Sequence, residues 1–97
     1  MKTNLTCDDI RQTIQTGATL LDVRTNGEFQ HNALPDAKNI PLAVLPLLAD
    51  EHFTKDDHVL VYCQAGPRAI MAEKILTGLG FTNVTNIGSL QTYQHCH

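Results

Sequence analysis

Cys63 and Arg68 bracket the stretch of this sequence best suited to chemistry. In Cys63-Gln64-Ala65-Gly66-Pro67-Arg68 a thiol and a guanidinium stand at the two ends of a short loop that holds Gly66 and Pro67. A thiolate is the reactive form of cysteine, and backbone N–H groups, a helix start or a nearby cation all favour it. Gln64, Ala65, Gly66, Arg68 and Ala69 can each present a backbone N–H to the sulfur, giving five expected donors; Pro67 has none. A ring of such donors suits an anion, either a bound oxyanion or a negatively charged adduct on the cysteine. The loop supplies no general base, so a nucleophile stabilised as an anion fits better than one activated by proton removal. The competing reading makes Cys63 an inert buried thiol at a strand end and Pro67 merely a helix start.

The flanking residues predict how the loop is held. His58-Val59-Leu60-Val61-Tyr62 is a continuous apolar, β-branched run that stops at Cys63, and Pro67 is well placed as the first residue of a helix. Ile70, Ile75, Leu76 and Leu79 then form an inward stripe, ended by Gly78 and Gly80. Strand, turn and helix start therefore aim the unpaired N–H groups of the helix back at Cys63.

Upstream, Thr6 with Asp9 has the form of a helix cap, and Ile10 and Ile14 share one face, predicting a helix from about Cys7 to Gln15 stopped by Gly17. Ala18 to Val23 reads as a buried strand that carries Asp22 and Arg24 at its carboxyl end. In open α/β sheets the ligand crevice lies outside the carboxyl ends of strands. Asp22 and Arg24 are therefore candidates to support the Cys63 site, the alternative being an ion pair that braces loops. Residues 25–41 read as a connector with a helical turn near Glu28 and a short strand near Lys38 to Ile40. Leu42 to Ala49 reads as a short helix or two turns, with Pro46 opening the second. Phe81 to Ile87 is the expected last strand, and 88–93 a final helical piece. Alternating strands and helices of these lengths predict an α/β fold, a three-layer α/β/α sandwich around a central parallel sheet of about five strands.

Length and composition bound the function. Ninety-seven residues, 42% hydrophobic, fit one domain over 1–97. A net charge of -3 with 7 Lys and Arg leaves no basic footprint for nucleic acid. The longest apolar stretch, Ile40 to Ala49, contains Pro41 and Pro46 and cannot span a bilayer, so no membrane role is expected. The first residues lack the apolar segment of a secretory signal. A cytoplasmic location is expected if Met1 is native, and an exported origin stays open if it is not. Cys7, Cys63 and Cys96 are odd in number and far apart in sequence, which argues for reduced thiols. The tail His95-Cys96-His97 has metal-binding side chains, but three adjacent residues at a terminus rarely close an ordered site, so no metal and no cofactor are expected. His31 reads as a surface histidine.

The loop resembles the active-site loop of rhodanese-like sulfurtransferases. Three segments carry the likeness, in order, from about residue 5 to residue 93. They are Asp22-Val23-Arg24 with Glu28-Phe29 and Pro35-x-Ala37-x-Asn39-Ile40-Pro41, the Cys63 loop itself, and Gly80-Phe81-x-x-Val84 followed by Gly88 and Tyr93. The chain departs from that family where Asn32-Ala33 replaces Gly-His, Asp36 replaces Gly, Ser89 replaces the second glycine of a pair and Tyr93 replaces tryptophan. Asp tolerates left-handed backbone, so the turn at Asp36 is expected to survive.

The resemblance implies a sulfurtransferase in which Cys63 takes a sulfane sulfur from thiosulfate or a similar small anion. The sulfur is held as a persulfide and passed to cyanide, a thiol or a protein acceptor. Gln64 to Ala69 would form the binding loop, with Arg68 either attracting the donor or turned inward to brace the loop. A rival of another class is a sulfur-carrier or protein-binding module with little turnover. A phosphatase or arsenate reductase is disfavoured, because the related phosphatases use a longer loop, large enough for a phosphate.

Overall fold

A computed structural model describes residues 5–93. Helix α1 (Cys7–Gln15) begins where Thr6 Oγ1 accepts from Asp9 N–H at 3.1 Å and Asp9 Oδ2 accepts from Thr6 N–H at 3.0 Å, a reciprocal cap that satisfies two otherwise unpaired donors. Strand β1 (Thr19–Asp22) follows, and Thr25 with Glu28 repeats the capping pattern to start helix α2 (Asn26–His31). Short strand β2 (Lys38–Asn39) and one 3₁₀ turn at Leu42–Val44 lead to helix α3 (Leu45–His52). Then come strand β3 (Val59–Cys63), helix α4 (Pro67–Gly78), strand β4 (Val84–Ser89) and a final turn, α5 (Leu90–Tyr93).

The four strands among the described residues run parallel in the order β2-β1-β3-β4, where the sequence led us to expect about five. A parallel sheet must be covered on both faces because its crossovers lay helices there. That explains why β3, buried at all five positions, reads as unbroken apolar sequence. On one face Leu21, Val23, Val59, Val61 and Cys63 pack beneath residues of α3 and α4; on the other, Leu20, Leu60 and Tyr62 pack with Ile10 of α1 and with Leu90 and Tyr93 of α5. The site cysteine thus ends the most enclosed strand of the molecule.

Three details differ from or refine the sequence reading. The last strand starts at Val84 and runs on to Ser89, because a bulge opposite Val61 and Tyr62 admits Ile87 as an extra residue and keeps Gly88 and Ser89 in register with Tyr62 and Cys63. Asp36 adopts φ 66°, the left-handed turn expected of it. Cys7 is disulfide-bonded, which corrects the expectation of reduced thiols there: distance along the chain does not measure distance in space. Cys63 is a free thiol.

Candidate active site

The end of β3 delivers Cys63 directly to the leading end of α4. Gly66 N–H donates to Cys63 Sγ at 3.0 Å and Ala69 N–H donates at 3.3 Å. Ala69 is the third residue of α4, so its N–H is one that the helix cannot satisfy internally. Gly66 caps that helix at φ 121°, a backbone angle that side-chain-bearing residues rarely adopt. Two amides therefore meet the thiol, not the five expected. Among the described residues Gln64, Ala65 and Arg68 make no backbone hydrogen bond to Sγ, because one compact acceptor is reached only by the N–H vectors that converge on it. Cys63 is 0% exposed: its inward side packs in the apolar cluster with Ala69 and Ala72, and the loop closes over the other.

The Arg68 guanidinium is engaged by a carboxylate and makes no hydrogen bond to the sulfur. Its Nη1 and Nη2 donate to the two carboxylate oxygens of Glu28 at 2.7 and 2.9 Å, a two-point pair between α4 and α2. That places Arg68 as a brace of the loop. The hydrogen bond from Arg68, followed by that from Thr25 N–H, holds the Glu28 carboxyl down to about 2, and the same pair raises the Arg68 guanidinium above its ordinary value. Glu28 thus joins the candidate site through Arg68, a part the sequence reading did not give it. Its signal was the Thr25-x-x-Glu28 cap, which fixes the carboxylate at the start of α2.

Asp22 and Arg24 form a second, fully buried brace. Arg24 Nε donates to Asp22 Oδ1 at 3.0 Å and Nη2 donates to Oδ2 at 2.7 Å. The remaining guanidinium donors reach outward, Nη1 to Gln64 Oε1 at 3.1 Å and Nη2 to the Asn32 carbonyl at 2.5 Å. One side chain thus ties the end of β1 to the cysteine loop and to the connector. Burial opposes the Arg24 charge, but its hydrogen bonds and attraction to Asp22 outweigh it and its pKa stands above the ordinary value. Beside it, burial pushes the Tyr62 phenol well above the usual range; its oxygen accepts from Leu34 N–H at 3.1 Å. The replacement of Gly-His by Asn32-Ala33 does not break this network, since Arg24 uses a backbone carbonyl there.

A groove of about 480 Å³ opens beside the loop, lined by Ala65, Gly66, Pro67, Ile70, Glu73 and Lys74 with Asn86 and Gly88 of β4. Sequence reasoning missed Glu73, Lys74 and Asn86, which only the packing of α4 on β4 brings to the loop. A second cavity of about 170 Å³ lies on the other side of the sheet, under Ile10 and Ile14 of α1. His31 is exposed, as expected. The tail His95-Cys96-His97 lies outside the described residues.

Comparison with known proteins gives three kinds of match. A family model described as the rhodanese-like domain matches residues 6–95. Thiosulfate sulfurtransferase PspE of Escherichia coli is 39% identical over 72 residues, covering 73% of this chain and 69% of that protein. A sulfurtransferase of Allochromatium vinosum is 34% identical over 68 residues, covering 70% of this chain and 63% of its own length. A further relative from Schizosaccharomyces pombe is spanned over 62% of its length, so the chain covers roughly two thirds of these curated relatives. Among solved structures, a rhodanese with anions from E. coli superposes with TM-score 0.71 at 36% identity, over 76% of this chain and 88% of that one. Human single-domain sulfurtransferase TSTD1 superposes with TM-score 0.79 at 24% identity, over 93% of each chain, which shows a shared fold.

Proposed function

Because this chain belongs to the rhodanese-like domain family, we propose that it is a sulfurtransferase that carries a sulfane sulfur on Cys63, drawn from thiosulfate or a similar donor. The observation that carries this reading is the convergence of the Gly66 and Ala69 amides on Sγ. In the first half-reaction the Cys63 thiolate attacks the outer sulfur of thiosulfate. A sulfur–sulfur bond forms at Cys63 as the one within thiosulfate breaks, and sulfite leaves with the electron pair. The negative charge then rests on the outer persulfide sulfur, at the mouth of a loop whose amides and helix end favour an anion. In the second half-reaction cyanide or a thiolate attacks that outer sulfur and the Cys63 thiolate departs, so the cycle is ping-pong and needs no other oxidant or reductant. The braces through Arg24 and Arg68 keep the loop in the shape that aims its amides inward.

A second reading, a sulfur-carrying or protein-binding module with slow turnover, is favoured by the complete burial of Cys63 and by the engagement of Arg68 with Glu28. Intact-mass measurement after incubation with thiosulfate tests the first half-reaction. One added sulfur in the wild type, absent in Cys63→Ser, is expected; a wild-type chain without the adduct overturns the proposal. Steady-state turnover to cyanide and to thiols then separates the enzyme from the carrier.

A further inference from the structure

The two arginines that contact the loop or belong to it are held by protein carboxylates: Arg68 by Glu28, and Arg24 by Asp22. Lys74 differs. It is exposed, lines the groove that also borders Ala65, Gly66 and Pro67, and forms no ion pair with a carboxylate among the described residues. Pro67, Ile70 and Lys74 follow the spacing of a single helix face, and side chains on a helix lean toward its N-terminus, so Lys74 leans back over Ile70 toward the loop. The rise from Pro67 to Lys74 is roughly 10 Å. The four-carbon stem spans part of that distance, so an extended Lys74 can place its ammonium within about one Debye length, ~8 Å, of the loop. The other charge on this wall, Glu73, is half-buried and accepts from Asn86 Nδ2 at 3.4 Å, whereas Lys74 is exposed.

We propose that Lys74 is the specificity-determining cation of this site, drawing a small sulfur oxyanion of the thiosulfate class into the groove beside Cys63. The inference rests on the sulfurtransferase reading above and adds to it which residue selects the donor's charge. Glu73 carries the opposite charge on the same wall.

The test is the rate of sulfur loading on Cys63 at limiting thiosulfate, followed by intact mass in the full chain over a range of ionic strength. One charge acting on a dianion at this range through water-like surroundings predicts a loss of roughly twofold in kcat/KM for Lys74→Gln at physiological salt, rising to about fourfold at low salt and carried by KM. The salt dependence of loading should flatten in the same variant. Lys74→Arg should restore both, and Glu73→Gln should lower KM. Alkylation of Cys63 by uncharged iodoacetamide should proceed at the same rate in all four proteins. Lys74→Gln with the KM and salt slope of the wild type overturns this proposal while leaving the sulfurtransferase reading intact. Parallel losses in loading and in alkylation overturn it too, since they mark a structural role, and a wild type that accepts no sulfur overturns both.

Discussion

Gly66 shows how closely the chemistry depends on single residues. An added Cβ there would meet nothing within 4 Å, yet φ 121° is costly for any L side chain, so the demand for glycine comes from the backbone alone. The left-handed half of backbone space costs roughly 1–2 kcal/mol for a residue with a side chain. If Gly66→Ala relieves that strain by rotating the peptide, its N–H leaves Sγ. Loading of Cys63 should then slow about tenfold, the equivalent of ~1.4 kcal/mol. A mass time course that matches the wild type would show that the Gly66 amide is dispensable. Arg68, by contrast, lies in the loop as the sequence implied but points at Glu28, a choice that depends on where another helix stands.

Between elements, two arginines do the joining. Arg24 links β1, the connector and the loop, and Arg68 links α4 to α2. The Glu28–Arg68 pair has a pH signature whose sign follows from the depressed carboxyl. A group whose folded pKa lies below its unfolded value stabilises the fold above the unfolded value and ceases to do so as pH falls through the folded one. With Glu28 held to about 2 against an ordinary 4.5, its contribution is present above pH 4.5 and fades between there and pH 2. Both side chains are about one third exposed, 35% for Arg68 and 34% for Glu28, so water screens the pair. Its worth is then about 1 kcal/mol, or roughly 4–8 °C in Tm for a domain of this size. Glu28→Gln should melt lower than the wild type by that amount at pH 6, and thermal melts of the two should converge near pH 2. A constant gap across that range would assign the difference to packing.

For the molecule as a whole, the sheet divides the interior into two cores, and the site depends on the one beneath α3 and α4. Leu21 is 0% exposed there, paired in register with Val61 two residues before Cys63. Leu21→Ala should cost about 2–5 kcal/mol, since the vacated volume collapses only in part. In a domain worth roughly 5–15 kcal/mol that is a large fraction. Urea unfolding should show it as a lower midpoint with an unchanged slope, and a shift below about 1 kcal/mol would mean that this core repacks freely.

Much of this molecule was legible in the order of its residues because the signals are local. The Thr6 cap, the apolar run ending at Cys63, Pro67 opening α4 and the left-handed turn at Asp36 are each decided within a few residues. The parallel α/β layering followed from their alternation. What only the tertiary structure decided are the meetings of distant segments. Arg68 chooses Glu28, Arg24 reaches Gln64 and Asn32, two amides converge on the sulfur, and Lys74 with Asn86 walls the groove. The physical reason is one of range. Caps and turns are set by backbone angles and near neighbours, whereas the direction of a long charged side chain is set by whichever partner the packed sheet and helices bring within hydrogen-bond reach.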